Sequence, residues 1–321
     1  MRQLSKLIAF LCLTTVGSAL CSVTALSSEK SQAFDIQVTK FDTLNGGTTR
    51  LRINDQASGL IETPSAREHG GFVSPAVFRA WVEKYNPDFI QLAARFSPSD
   101  VIELKGQWDK ADRPLTAMGI AHTTISPHKL VDLDLSNCKV LVVNCAGRVP
   151  KAALQKVRDF VANGGALLTT DWSLHNLLER SFPGYVRWNG GKSRGEVVDA
   201  QVTSLDPALA RGVVSRSGWK LDVESQTIAV INPDQVRIIA KSTILARQEP
   251  DRQGILAVSF RFGRGRVLHL IGHFDNNGFL PILNSLPDPA PVIGISLRQA
   301  LAGSFVINAL KQAYQASAAI R

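Results

Sequence analysis

The chain has 321 residues, 45% hydrophobic and 20% charged, which supports a sizeable core and excludes global disorder. Fifteen prolines and 24 glycines are ordinary for a mixed fold and exclude collagen-like or low-complexity architecture. The balance is basic, 36 Lys+Arg against 27 Asp+Glu, but the positive residues are spread thinly. Basic runs with interleaved aromatics are absent, so no nucleic-acid partner is expected.

The N-terminus opens with Arg2 and Lys6, followed by an uncharged run from Leu7 to Leu20 and then by Val23-Thr24-Ala25. A basic start, a short apolar stretch and a small-residue end describe a secretory signal peptide over residues 1–25. The run is too short and too rich in Thr, Gly and Ser for a membrane anchor. Cys21 follows the large Leu20, where a lipidation site needs a small residue. Cleavage near Ala25 is therefore expected, with the mature protein periplasmic or secreted and membrane contact limited to the signal peptide. Cleavage removes Arg2 and Lys6 and lowers the formal net charge from +9 to +7. Two cysteines then remain, Cys138 and Cys145. They bracket an apolar run that reads as one strand. Seven steps of about 3.3 Å hold them roughly 23 Å apart, beyond disulfide reach.

Residues 26–98 read as an N-terminal appendage. Phe34 to Val38 and Thr48 to Ile53 alternate around Asn45-Gly46-Gly47, a hairpin pattern, and a helix is predicted from Pro75 to about Tyr85. Residues 99–321 read as the main domain. Strands are predicted at Val101–Leu104, His122–Ile125, Lys139–Asn144 and Ala166–Thr170. Helices are predicted at Lys110–Met118, from Pro150 to Val161, and at Ser173–Phe182. That alternation predicts an α/β, flavodoxin-like fold, a mostly parallel sheet with helices on both faces. After Tyr185 shorter strands follow at Val197–Val202, Thr227–Ile231, Val236–Ala240, Ile255–Arg261 and Arg266–Ile271. Phe262-Gly263-Arg264-Gly265 reads as a hairpin turn, not a nucleotide fingerprint, because a strand follows it. A helix from Leu297 to Tyr314 closes the chain.

In an open parallel sheet, ligands bind beyond the carboxyl ends of the strands. The strand ends here carry Gly106-Gln107-Trp108-Asp109, Asn144-Cys145, Thr170-Asp171-Trp172-Ser173 and His273-Phe274-Asp275. The candidate catalytic residues are Asp171, His273, Asp275 and Cys145. Candidate ligand-binding residues are Gly106, Gln107, Trp108, Asp109, Asn144 and Trp172. Each also has a structural reading: Asp171 as a helix cap, His273 as a buried hydrogen-bonded histidine, Cys145 as a small buried hydrophobe, and the two tryptophans as rim packing. His269 shares a strand face with His273 about 13 Å further down and is expected to pack against a helix. The spacing offers no third ligand for a metal, and no cofactor is expected.

The order of elements over residues 100–315 resembles the class I glutamine amidotransferase-like superfamily, and within it the trehalose-utilisation-type (ThuA-like) branch. The carriers are the Asp134-to-Asn144 approach and strand, Phe160-Val161-Ala162-Asn163-Gly164-Gly165, Ala166-Leu167-Leu168-Thr169-Thr170, Asp206 to Gly212, and Gly265 to His273 with its Gly-His end. Glutaminase members carry a Gly-x-Cys-x-Gly elbow and a late His-Pro-Glu. Here the elbow reads Thr169-Thr170-Asp171-Trp172-Ser173, with Asp171 in the cysteine's place and neither glycine present. Phe274 replaces the proline between His273 and Asp275. The resemblance thus implies the fold without the glutaminase nucleophile.

Three functions follow as expectations. The first is an exported domain without glutaminase activity that binds a small polar molecule or an envelope protein at the strand ends. The second is a hydrolase using Asp171 or Cys145 with His273 as base, oriented by Asp275. The third is a structural subunit of an envelope complex docking through residues 26–98.

Overall fold

The computed structural model describes residues 75–204, 206, 209, 213, 216–274 and 295–319. The signal-peptide segment, the hairpin pattern at residues 34–53 and Asp275 lie outside the described residues. Two helices open the described chain, α1 (Pro75–Tyr85) and α2 (Pro87–Ala93). Helix α1 buries Phe78, Trp81 and Val82 in the main core. At about 1.5–3 kcal/mol for each such side chain, that stripe anchors the helix by several kcal/mol before entropy is subtracted.

The α/β region begins with β1 (Val101–Leu104), α3 (Asp112–Ala117), β2 (Thr123–Ile125) and β3 (Val140–Val143). It continues through α4 (Leu154–Ala162) and β4 (Ala166–Thr170). Strands β1, β3 and β4 are buried at every position, which is why they read as apolar runs apart from Glu103 and the threonines that end β4. Helix α3 is shorter than the predicted 110–118, and Gly119 closes it at φ +74°. In α4, Val157, Phe160 and Val161 form the buried stripe, and the phenyl ring of Phe160 lies where a side chain on Gly165 would stand.

The segment predicted as a helix over 173–182 is instead a π-helical turn, Leu174–Leu178, followed by the short α5 (Glu179–Ser181). The departure from α geometry accompanies two tertiary bonds. His175 N–H donates to Gln226 Oε1 at 3.2 Å, and Asn176 Nδ2 donates to the Ala146 carbonyl at 2.6 Å. Such bulges recur at functional sites.

Then follow β5 (Val186–Arg194), β6 (Val197–Val202), β7 (Arg216–Lys220), β8 (Val223–Val230), β9 (Val236–Lys241) and the short α6 (Thr243–Ala246). Strands β10 (Ile255–Phe262) and β11 (Gly265–Leu270) and the terminal helix α7 (Leu297–Ala319) complete the chain. Nine strands form one sheet in the order β2-β1-β3-β4-β11-β10-β9-β6-β7, and β5 and β8 form a second, two-stranded sheet. Pairing is parallel from β2 to β11, with the flavodoxin-like order 2-1-3-4-5 when β11 counts as fifth. From β11 to β7 it is antiparallel.

The expectation of a mostly parallel sheet is therefore corrected: the sheet is mixed, parallel at one end only. The reason is connection length, since the two-residue link from Phe262 to Gly265 cannot span a parallel crossover. Helix α7 packs on β3, β4 and β11, and α4 packs on β11. Gly303 lets α7 approach the first helix: a side chain there would meet the Trp81 ring at 3.0 Å and Met118 Sδ at 3.1 Å. Among the described residues no helix is long and apolar enough to cross a membrane.

Candidate functional site

Three sequence-predicted residues converge at the carboxyl ends of adjacent parallel strands. Cys145 follows β3, Asp171 follows β4 and His273 follows β11, and all are buried. One ligand-competent atom from each lies within 4.8 Å of the other two. Asp171 sits in the left-handed region at φ +46°, a sharp strand exit of the kind that projects a side chain above a sheet edge. Its own N–H still donates to the Leu270 carbonyl at 2.9 Å, which ties the turn to β11.

The expectation that Asp171 caps the following helix is not met. Its carboxylate instead accepts from Ser225 Oγ at 3.0 Å and from the Gln226 N–H at 3.1 Å, both on β8. The N-cap residue of the π-helical turn, Ser173, makes no capping bond either; the His175 N–H goes to Gln226 Oε1. Burial pushes the Asp171 carboxyl up to about 6, against the opposing pull of His273 and the bonds from Ser225 and Gln226. His273 lies between two carboxylates, with Nε2 3.6 Å from Asp171 Oδ2 and Nδ1 3.4 Å from Asp222 Oδ2. Asp222 stands in the turn from β7 to β8. It takes the flanking place that the sequence assigned to Asp275, which lies outside the described residues.

Cys145 is buried, and desolvation, followed by the charge of Asp171, drives its thiol well above the usual range. A thiol so placed is a poor nucleophile. Its backbone is fixed on both sides: the carbonyl accepts from Gln107 N–H at 2.7 Å and Trp108 N–H at 3.2 Å, and its N–H donates to Thr170 Oγ1 at 3.0 Å. Thr170 Oγ1 in turn donates to Asp109 Oδ2 at 2.7 Å, an oxygen that also accepts the Phe274 N–H at 3.0 Å. Asp109 is thus a buried clamp joining the ends of β1, β4 and β11. Cys138 and Cys145 are both free thiols, as the strand between them requires.

The other rim residues divide into frame and cleft. Gly106 is required by close approach, since a side chain there would meet the Cys145 carbonyl oxygen at 2.3 Å and the Asp109 carbonyl oxygen at 2.6 Å. Trp108 is 66% exposed, and Gln107 beside it is exposed as well. Trp172 donates through Nε1 to the Glu224 carbonyl at 3.0 Å, with the Lys192 ammonium 5.9 Å from its ring centroid, and so serves the β8 contact. Asn144 is buried and donates to Glu103 Oε1 at 2.6 Å and to the Leu104 carbonyl at 3.2 Å. Glu103, buried in the middle region of β1, also receives Thr124 Oγ1 at 2.5 Å and the Asp112 N–H at 3.1 Å.

A cleft of about 230 Å³ opens between the ends of β1 and β3, lined by Lys105, Gly106, Gln107, Asn144, Ala146 and Arg148 among others. The crevice lies at the topological switch point, where open α/β sheets take their ligands. Cys145, Asp171 and His273 do not line it. A larger cavity of about 850 Å³ lies at the opposite end of the sheet beside Lys139, Ala166 and Gly265, away from this chemistry.

Sequence reasoning missed Asp222, Ser225, Gln226 and Glu103. The first three belong to β8 and the turn before it, which reach the site from more than fifty residues away, and no local pattern marks them. Glu103 carried a signal, a charged residue inside an otherwise apolar buried strand. His269 is buried with Nδ1 2.9 Å from Thr169 Oγ1, and burial lowers its pKa to about 3.

No family model and no curated protein matches the chain. Among solved structures, beta-galactosidase from Bacillus circulans sp. alkalophilus is similar to it at 13% identity, over 68% of this chain and 31% of that one, with a TM-score of 0.42. The chain therefore spans about a third of that enzyme's length. A protein described as ThuA-like from Parabacteroides merdae is similar at 12% identity, over 65% of this chain and 89% of that one, with a TM-score of 0.42. A cytoplasmic protein from Salmonella typhimurium is similar at 12% identity, over 66% and 98% of the two chains, with a TM-score of 0.42. Likeness at this level says nothing about the chemistry of the site.

Proposed function

We propose that this chain is an exported amidotransferase-like domain protein of the ThuA-like kind, without glutaminase activity. In this reading it binds a small polar ligand in the cleft between the ends of β1 and β3. The observation that carries the binding reading is Asn144 Oδ1, a buried acceptor in the lining of that cleft that makes no hydrogen bond among the described residues. Both Nδ2 bonds go to acceptors, so the amide orientation is set and the free group is the oxygen. A buried acceptor without a partner costs about 1–3 kcal/mol, and because this oxygen exposes almost no surface, a ligand hydroxyl or amide N–H relieves that cost only with a shift of the cleft wall. Lys105 and Arg148, both exposed at the cleft, favour a ligand that also carries negative charge. A hydroxy acid has both features.

The hydrolase alternative has weaker support. The Asp171 carboxylate is taken up by Ser225 and Gln226, and the Cys145 thiol is buried and held protonated. Export rests on the N-terminal pattern of charge and apolar run.

The test is a thermal-shift and calorimetric titration with gluconate and lactate, using uncharged glucose as control. Binding of a hydroxy acid is expected, weakened about tenfold by Arg148→Ala, a change at an exposed side chain. Failure of every hydroxy acid to bind, or binding unaffected by both Arg148→Ala and Lys105→Ala, would remove the reading. Ammonia release from glutamine that depends on Cys145 would overturn the loss of glutaminase activity.

A further inference from the structure

We infer that Cys145, Asp171 and His273 form a buried binding site for a zinc-class divalent cation, with Asp222 as the outer-sphere partner of the histidine. The donor set is a sulfur, a carboxylate oxygen and an imidazole nitrogen, one from each of three adjacent strand ends. Thiolate and imidazole together favour zinc over the hard cations magnesium and calcium, which take oxygen ligands.

The spacing supports coordination over direct pairing. His273 Nε2 and Asp171 Oδ2 are 3.6 Å apart, too long for a charge-assisted hydrogen bond of about 2.7–2.9 Å. With metal–ligand bonds of about 2.0–2.2 Å, the nitrogen-to-oxygen edge of a coordination tetrahedron is about 3.3–3.5 Å, and edges to a sulfur at about 2.3 Å are slightly longer. The observed 3.6 Å edge is about 0.1 Å longer than that range. The outer limit of 4.8 Å among the three atoms closes with a shift of about 1 Å, within the reach of side-chain torsions.

The surroundings have the form that metal sites require. A ligating imidazole usually directs its second nitrogen at a carboxylate, and Nδ1 of His273 faces Asp222 Oδ2 at 3.4 Å. That oxygen is buried and makes no hydrogen bond among the described residues, so it stands ready for an Nδ1–H. Ligating carboxylates are themselves hydrogen-bonded, as Asp171 is by Ser225 and Gln226. The backbone of Cys145 is anchored at its N–H and its carbonyl, which limits the positions its sulfur can take. On binding, the Cys145 S–H proton leaves to solvent and the sulfur lone pair forms the bond to the cation.

The experiment uses the full chain, stripped with a chelator, dialysed and titrated with Co²⁺ and then Zn²⁺. The expected result is one Co²⁺ per chain, intense visible bands of tetrahedral type, a thiolate-to-cobalt charge-transfer band in the near ultraviolet, and displacement by one equivalent of Zn²⁺. Cys145→Ser should abolish the charge-transfer band, and Asp171→Asn and His273→Gln should each weaken binding at least tenfold. Asp222→Asn should keep the band and weaken binding by about tenfold to hundredfold. Cys138→Ser, outside the cluster, should change none of these readouts. Folded wild-type protein without the band, or a band that survives Cys145→Ser, overturns the inference. Should Cys145→Ser fail to fold, Asp222→Asn decides: unchanged Zn²⁺ affinity overturns it and weakened affinity supports it. The Asn144 cleft is separate, so metal binding and hydroxy-acid binding can fail independently.

Discussion

Thr170→Val tests whether the Asp109 clamp holds the strand ends together. Thr170 is fully buried, and valine keeps its shape while removing the hydroxyl. Two bonds are lost: the 2.7 Å bond to Asp109 Oδ2 and the 3.0 Å bond that satisfies the Cys145 N–H. A hydrogen bond to a charged group contributes about 1.5–3 kcal/mol, and a buried N–H left without a partner costs about 1–3 kcal/mol. The added methyl group returns about 0.8 kcal/mol. The net expectation is a loss of about 2–5 kcal/mol, or roughly 5–15 °C in Tm for a folded unit of this size. Urea denaturation followed by circular dichroism and by tryptophan fluorescence measures it, with coincident transitions required before a free energy is extracted. Thr123→Val is the control, because Thr123 Oγ1 makes a comparable 2.9 Å bond to the Pro98 carbonyl in an exposed setting and should change stability by less than about 0.5 kcal/mol. A loss below about 1 kcal/mol for Thr170→Val would show that the clamp is not what holds these loops.

Gly106→Ala should destabilise by at least about 2 kcal/mol in the same denaturation assay, because the new methyl would meet two backbone carbonyl oxygens that cannot swing away. His269, its pKa lowered by burial to about 3, refuses a proton that the unfolded chain accepts below about pH 6.5. Stability from this residue is thus full above that pH and falls by about 1.4 kcal/mol per unit as pH drops toward 3, a slope that His269→Gln should remove. Glu249 has the opposite sign: burial raises its carboxyl to about 7, so the native state holds a proton that the unfolded chain releases above about pH 4.5. Stability should fall as pH rises from about 4.5 through 7, and Glu249→Gln should gain about 2 kcal/mol relative to wild type between pH 5.5 and 8. Cys138 and Cys145 should react as two free thiols only after denaturation, since burial pushes the Cys138 thiol up to about 12 and drives that of Cys145 higher still.

The parallel half of the fold was legible in the sequence because its information is local. Strands buried on both faces must be apolar at every position, and β1, β3 and β4 show that run apart from Glu103 and the threonines at the end of β4. The turn chemistry of Gly119 and of Asn163-Gly164-Gly165 marks where helices end, and the order of strand exits brings Cys145, Asp171 and His273 to one rim. None of these conclusions needs a long-range contact. What covers that rim was decided only by tertiary structure. Ser225 and Gln226 reach Asp171 across 54 and 55 residues of sequence, from a two-stranded sheet whose pairing partner no alternation pattern identifies. The same contacts carry the loop before β8 to His273, placing Asp222 on its far nitrogen. Where an α-helix was predicted, the π-helical turn is accompanied by further tertiary bonds, from His175 to Gln226 and from Asn176 to Ala146. Composition and periodicity report whether a side chain is buried and on which face. They cannot report which donor meets a buried carboxylate, because that depends on distances between segments the chain brings together only when it folds.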